Sequence, residues 1–168
     1  MPTSSTVRRR LEAQGFRNLD EKSLAEIGPW MRWSPAICAV VMATGTIFGS
    51  PPVLWGLASI ALLGAVFPRH PFDLLYNHGV RYLTGTQPLP RHGPQRRFAC
   101  GVATLWLAGT GLAFHQGAMA LGYVLGGAIT AVATLVAVTH FCIPSLVYNA
   151  LFRQAAPSAI PATRPVRG

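Results

Sequence analysis

The chain has 168 residues, of which 51% are hydrophobic and only 11% charged, yet its formal net charge is +9. A soluble domain carries about 25% charged residues, which disfavours an ordinary soluble surface. A nucleic-acid partner is not expected either, because the aromatics sit in apolar runs and not among the arginines. A chain this apolar and this basic suits a lipid bilayer held on one side by cations.

Residues 1–33 read as a polar cytosolic head. Arg8, Arg9 and Arg10 resemble the start of a signal peptide, but Leu11-Glu12-Ala13-Gln14 follows where an apolar stretch is required, so none is expected. Asp20 is placed to cap a short helix over Glu21–Ile27, which turns Leu24 and Ile27 to one face and stops at Pro29. Trp30 and Trp33 bracket Arg32 just before the first apolar run, where interface anchors sit at headgroup level.

The membrane domain is expected over 34–152. Its first two apolar segments, 35–49 and 53–67, are split by Ser50-Pro51-Pro52. At about fifteen residues, each is roughly 22 Å of helix against about 30 Å of hydrocarbon. The pair either spans by drawing in flanking residues or forms a re-entrant hairpin; both return the chain to the side it left. The connection 68–97 carries an amphipathic interfacial helix after Pro71. Phe72, Leu75, Tyr76, Val80 and Leu83 form its apolar stripe, with Asp73, Asn77 and Arg81 opposite. A proline-stiffened loop follows over 87–94 and is closed by Arg96 and Arg97. The third and fourth segments cover 98–114 and 119–141, joined at His115-Gln116-Gly117. Gly45 with Gly49, and Gly122 with Gly126, have the small-xxx-small spacing of close helix packing. The Pro/Ala-rich tail, 153–168, is expected to be disordered.

Charge then sorts by side. Six Lys and Arg fall in the head, five in the connection and three in the tail, which accounts for all fourteen, and the five acids are there too. Two hairpins would place all three regions on one face, and that bias marks the face, with both termini, as cytoplasmic.

Chemistry has few places to sit. Cys38 starts the first segment, Cys100 starts the third and Cys142 ends the fourth, so the thiols share the cytoplasmic end with His70, His78, His92 and His140; His115 is opposite. No two cysteines form a paired knuckle, so no metal site is predicted, and an odd number of cysteines argues against a disulfide framework. Cys142-Ile143-Pro144-Ser145 has the frame of C-x-x-C with serine in second place. A monothiol there, activated by His140 or Arg97, could form mixed disulfides. The simpler expectation is a helix kink at Pro144, with Ser145 or His140 satisfying freed backbone groups. Haem ligation by His115 and His140 is disfavoured because they lie at opposite ends of antiparallel segments. Transport is disfavoured because no Asp, Glu, Lys or Arg lies inside any apolar segment.

His70-Pro71-Phe72-Asp73, Gly93-Pro94-Gln95-Arg96-Arg97-Phe98-Ala99, and Phe141-Cys142-Ile143-Pro144-Ser145 followed by Tyr148 together resemble a bacterial family of small membrane proteins known as the domain of unknown function DUF4395. The resemblance covers about residues 30–152. It implies a polytopic membrane protein with no assigned activity. Many members carry a second cysteine near the closing one, and some occur beside thioredoxin- or rhodanese-like partners. Ser145 stands in that second place here, which weakens a dithiol mechanism.

The expected fold is all-α: four apolar segments in two hairpins plus an interfacial helix, in the bacterial inner membrane. The expected function is that of a non-catalytic accessory subunit packing against a larger membrane complex or itself, with no cofactor. The alternatives are a thiol- or sulfur-handling protein using Cys142, with Cys38, Arg97 and Cys100 nearby, and a quinone-, haem- or pigment-binding subunit.

Overall fold

The computed structural model describes residues 5–16 and 21–152; Asp20 and the tail from 153 lie outside the described residues. Every regular element among them is a helix. The head contributes α1 (Ser5–Ala13) and α2 (Glu21–Ile27), and a first hairpin is made of α3 (Trp33–Ile47) and α4 (Pro51–Val66). The connection holds one rod, α5 (Pro71–Leu75), a π-helical turn over Tyr76–Val80, and α6 (Arg81–Thr84). The second hairpin is α7 (Pro94–His115) and α8 (Met119–Thr139), and α9 (Ile143–Phe152) closes the described chain.

Prolines set several of these starts. Pro51 and Pro52 open α4, Pro71 opens α5 and Pro94 opens α7, positions where the missing N–H costs no helical bond. The last of these corrects the expected start of the third segment. The helix begins a full turn before Phe98 and takes Arg96 and Arg97 with it.

The two hairpins pack as a ring, α4 along α7 and α3 along α8, with each hairpin also closed on itself. α7 and α8, of 22 and 21 residues, are long and apolar enough to cross a membrane. α3 and α4, of 15 and 16 residues, stop short at roughly 22–24 Å. α4 reaches spanning length only together with the Pro71–Thr84 rod, from which it is bent by 81°. The expected four segments are all helical, but two have spanning length, or three if that bent pair counts as one.

Met42, Leu54, Leu57, Ala58, Leu107, Phe114 and Ile129 form the bundle core. Glycines bring the helices close. Leu54 lies over Gly45, Phe114 over Gly122 and Thr46 against Gly126, each closer than an added Cβ would allow. Gly49 has φ +53° at the α3–α4 turn, where a side chain would be strained.

A second core lies at the end where α3 and α7 begin and α4 and α8 finish, here called the polar end. Leu11, Phe16, Leu24, Ile27 and Met31 of the head meet Tyr76 and Leu89 of the connection. The head is therefore built together with the connection, through α1 as well as the expected α2. Trp30 and Trp33, expected as bilayer anchors, stack half-buried on Tyr76 with ring centroids at 5.2 and 6.1 Å.

The rod over 71–84 keeps part of its expected stripe, with Tyr76 buried and Phe72 and Val80 packed on the cores, but its polar face turns inward as well. Asp73 and Asn77 are buried, while Leu75 and Leu83 are 59% and 90% exposed. The buried polar groups have partners in the loop. The Asn77 amide accepts from Leu89 N–H at 2.7 Å and donates to Leu89 C=O at 3.4 Å, and Asp73 accepts from His92. Satisfied polar groups can be buried, and the π turn adds a residue that rotates the following side chains.

The helix ending near Cys142 also departs from expectation. α8 stops at His140, whose φ is +57°, and α9 starts afresh at Ile143. Pro144 lies in the first turn of α9, so the break precedes the proline and is no kink within one helix.

Candidate functional site

The polar end holds a layer of buried polar side chains between the two cores. His70 caps α5. Its Nδ1 accepts from Phe72 N–H at 3.3 Å and lies 3.0 Å from the Ser34 hydroxyl, which leaves the ring proton on Nε2. Burial pushes the His70 pKa down to about 4 against the favourable effect of Asp73. Burial would raise the Asp73 carboxyl, but the hydrogen bond from His92 and the charge of Arg96 hold it below its ordinary value. His92 is itself lowered by burial and by Arg96. Near neutral pH this layer therefore holds an anionic Asp73, neutral imidazoles and a cationic Arg96.

The break between α8 and α9 is wrapped by the head. Gln14 donates to His140 C=O at 2.6 Å, Arg10 to Thr139 C=O at 2.7 Å, and Arg32 to the His140 ring at 2.8 Å. Asn149 of α9 donates back to Ala13 C=O at 2.8 Å. Burial, then Arg32, lowers His140 to about 4, consistent with a neutral ring nitrogen accepting from a guanidinium.

Between the four bundle helices at this end lies a cavity of about 210 Å³. Its inner walls are apolar, with Met42, Leu57, Trp106, Ile129, Val132 and Val136. Its polar end is formed by Gln14, Ser34, His70 and Arg96, and Cys38, Cys100 and Cys142 all line it. Gly64 makes room for this meeting, since a Cβ there would press on His70 and come within 3.3 Å of the Cys100 sulfur. Among the described residues, no group of three His, Cys, Asp or Glu has metal-binding geometry.

The site residues read from sequence divide accordingly. Cys38, Cys100 and Cys142 come together, and Pro144 joins them in the lining. His140 stands at the break, held by Arg32. Ser145 is fully buried, its hydroxyl without a partner among the described residues, and lies apart from the cavity lining. Arg97 turns away to donate to Ala65 and Val66 C=O at 2.8 and 2.7 Å, capping α4. The cation beside the thiols is Arg96. Its i, i+4 spacing to Cys100, like that of Ser34 to Cys38, is the sequence signal that identifies this face.

Fold and site together define an all-α protein with helices of spanning length and a thiol-lined cavity at one end of a helical ring. Residues 29–153 match the family described as a domain of unknown function (DUF4395), and the chain belongs to that family. No curated protein and no solved structure matches it.

Proposed function

We propose that this is a multi-pass protein of a bacterial inner membrane, with both termini cytoplasmic, that handles a thiol or sulfur species in the cavity at its cytoplasmic end. Orientation rests on the placement of all fourteen Lys and Arg in head, connection and tail. The observation that carries the function is the convergence of Cys38, Cys100 and Cys142, from two helices and a helix break, on one cavity. Cys100 also supplies in space the second thiol that Ser145 does not supply in sequence. In the step proposed, the Cys142 thiolate attacks a disulfide of the incoming species, forming a mixed disulfide and releasing one thiolate. Cys100 then attacks that bond, releasing the second thiolate and leaving a Cys100–Cys142 disulfide, so the incoming disulfide is reduced as the pair is oxidised. Maleimide labelling of membranes at neutral pH tests this. Fast labelling lost in Cys142→Ser is expected, whereas slow labelling typical of a buried thiol would remove the reading.

A second reading, an accessory subunit that associates through its helices, has its own observation. A groove between α3 and α8, lined by Ala43, Thr46, Gly127, Thr130, Ala131 and Thr134, opens outward. Among the described residues, the buried hydroxyls of Thr46 and Thr130 have no hydrogen-bond partner. Mass measurement after mild-detergent purification tests it: an assembly supports it, and a strict monomer with no co-purifying protein counts against it.

A further inference from the structure

The guanidinium of Arg96 stands at the polar end without a hydrogen bond or ion pair among the described residues. The residue is only 9% exposed, and its guanidinium lies over the Phe16 ring, with Cζ 5.4 Å from the centroid. Arginine carries five N–H donors and stays charged when buried. Asp73, the nearby anion, is already bonded to His92 and makes no ion pair with Arg96. The charge is thus balanced at a distance while the donors are not, and Arg96 lines the cavity.

The cavity limits what could satisfy those donors. Among the described residues, Arg96 is the only Lys, Arg, Asp or Glu in the lining, and His70 is neutral near pH 7. One fixed cation favours a single negative charge and gives no second clamp for a polyphosphate. The Gln14 amide is held by His140 C=O and the Ser34 hydroxyl by His70, so Arg96 is the charged donor, with the neutral Nε2–H of His70 beside it. Beyond it the walls are hydrocarbon and thiol. A cavity of about 150 Å³ takes a benzene ring, so this one suits a substituted ring or a short chain.

We propose that the cavity is a binding site for a singly charged amphiphilic anion, its acidic head on Arg96 and its apolar body between α3, α4, α7 and α8. The proposal names the ligand class of the cavity on which the thiol reading rests, but its chemistry needs no reactive cysteine. A carboxylate amphiphile and the phosphate of an anionic lipid share that chemistry.

The test is equilibrium dialysis of radiolabelled octanoate against full-length protein in zwitterionic nanodiscs, with empty nanodiscs and octanol as controls. Saturable binding of octanoate, one per chain, is expected, while octanol only partitions. Arg96→Met should weaken binding by about tenfold or more, a difference of about 1.4 kcal/mol, with Arg96→Lys retaining most of it. Binding should also survive replacement of all three cysteines by alanine, which separates this proposal from the thiol reading. Loss of octanoate binding in phosphatidylglycerol nanodiscs would identify a lipid phosphate as the occupant, and unchanged binding a free carboxylate. Equal uptake by empty nanodiscs, equal binding of octanol, or undiminished binding by Arg96→Met with Arg96→Lys folded as a control would each overturn it.

Discussion

The two ends of the helical ring are built from different materials. At the turn end, Phe114 lies over Gly122 and meets Tyr123 edge-on at 5.1 Å, close to the left-handed Gly49. Trp55 stacks on His115 at 5.5 Å. Ring packing closes that end, with Trp55 Nε1 also donating to Ala108 C=O at 3.3 Å. At the polar end, Ser34, His70, Asp73, His92, Arg96 and His140 are all buried, and a cavity remains among them. The turn end is tight where nothing needs to enter. The polar end keeps open space and bears the cost of burying ionisable groups, which is where a ligand site is expected.

The largest test of that contrast is Gly122→Leu. An added Cβ would stand 2.6 Å from the Phe114 ring, so a leucine must force α7 and α8 apart. Overpacking of this kind should cost about 3 kcal/mol, read as a fall in the unfolding midpoint in detergent. A midpoint unchanged from the parent would mean the turn end is as loose as the cavity.

Acid should act on the opposite end. His70 and His140 resist protonation when folded, both with pKa values lowered from 6.5 to about 4. The unfolded chain takes those protons first, so stability is full above about pH 6.5 and falls as the pH drops toward 4. For His70 alone the loss by pH 5 should reach about 2 kcal/mol. Asp73, also lowered in the folded state, adds to the loss only as pH falls through the carboxylate range. The check is the unfolding midpoint at pH 7.5 and pH 5 for the parent and for His70→Asn. A variant that keeps the full pH dependence would remove His70 as its source.

How far these ends are legible in sequence follows from the reach of their contacts. The hairpins, the head helix Glu21–Ile27 and the placement of the three thiols at one end rest on local runs of residues and are read directly. The glycines that meet Leu54, Phe114 and Thr46 carry a local spacing as well. The polar layer does not. Gln14 reaches His140 across 126 positions and Arg10 reaches Thr139 across 129, and no periodicity announces either. Arg96 and Arg97 are equivalent in the sequence, yet one lines the cavity and the other caps α4, a difference set by where α7 begins.

The rod over 71–84 is where a pattern argument and the packed structure disagree most, and the smallest expected effects decide between them. Periodicity puts Asn77 on the polar face and Leu83 on an apolar stripe turned to the membrane interface. The structure buries Asn77, with both amide atoms bonded to Leu89, and leaves Leu83 90% exposed. Asn77→Leu should therefore cost about 1–2 kcal/mol, because it strands the Leu89 N–H and C=O inside the protein. Leu83→Gln should stay within about 0.5 kcal/mol. Unfolding midpoints of the two variants, measured side by side in one detergent, give the answer. If the order reverses, with Leu83 costly and Asn77 silent, the rod lies with its leucines inward and the His92–Asp73 pair does not anchor it. If the expected order holds, Leu75 and Leu83 form an outward apolar edge beside the charged head, suited to the acyl–headgroup boundary. Flotation with anionic vesicles should then weaken in Leu75→Gln/Leu83→Gln while the unfolding midpoint stays put, separating a lipid-facing role from a packing one.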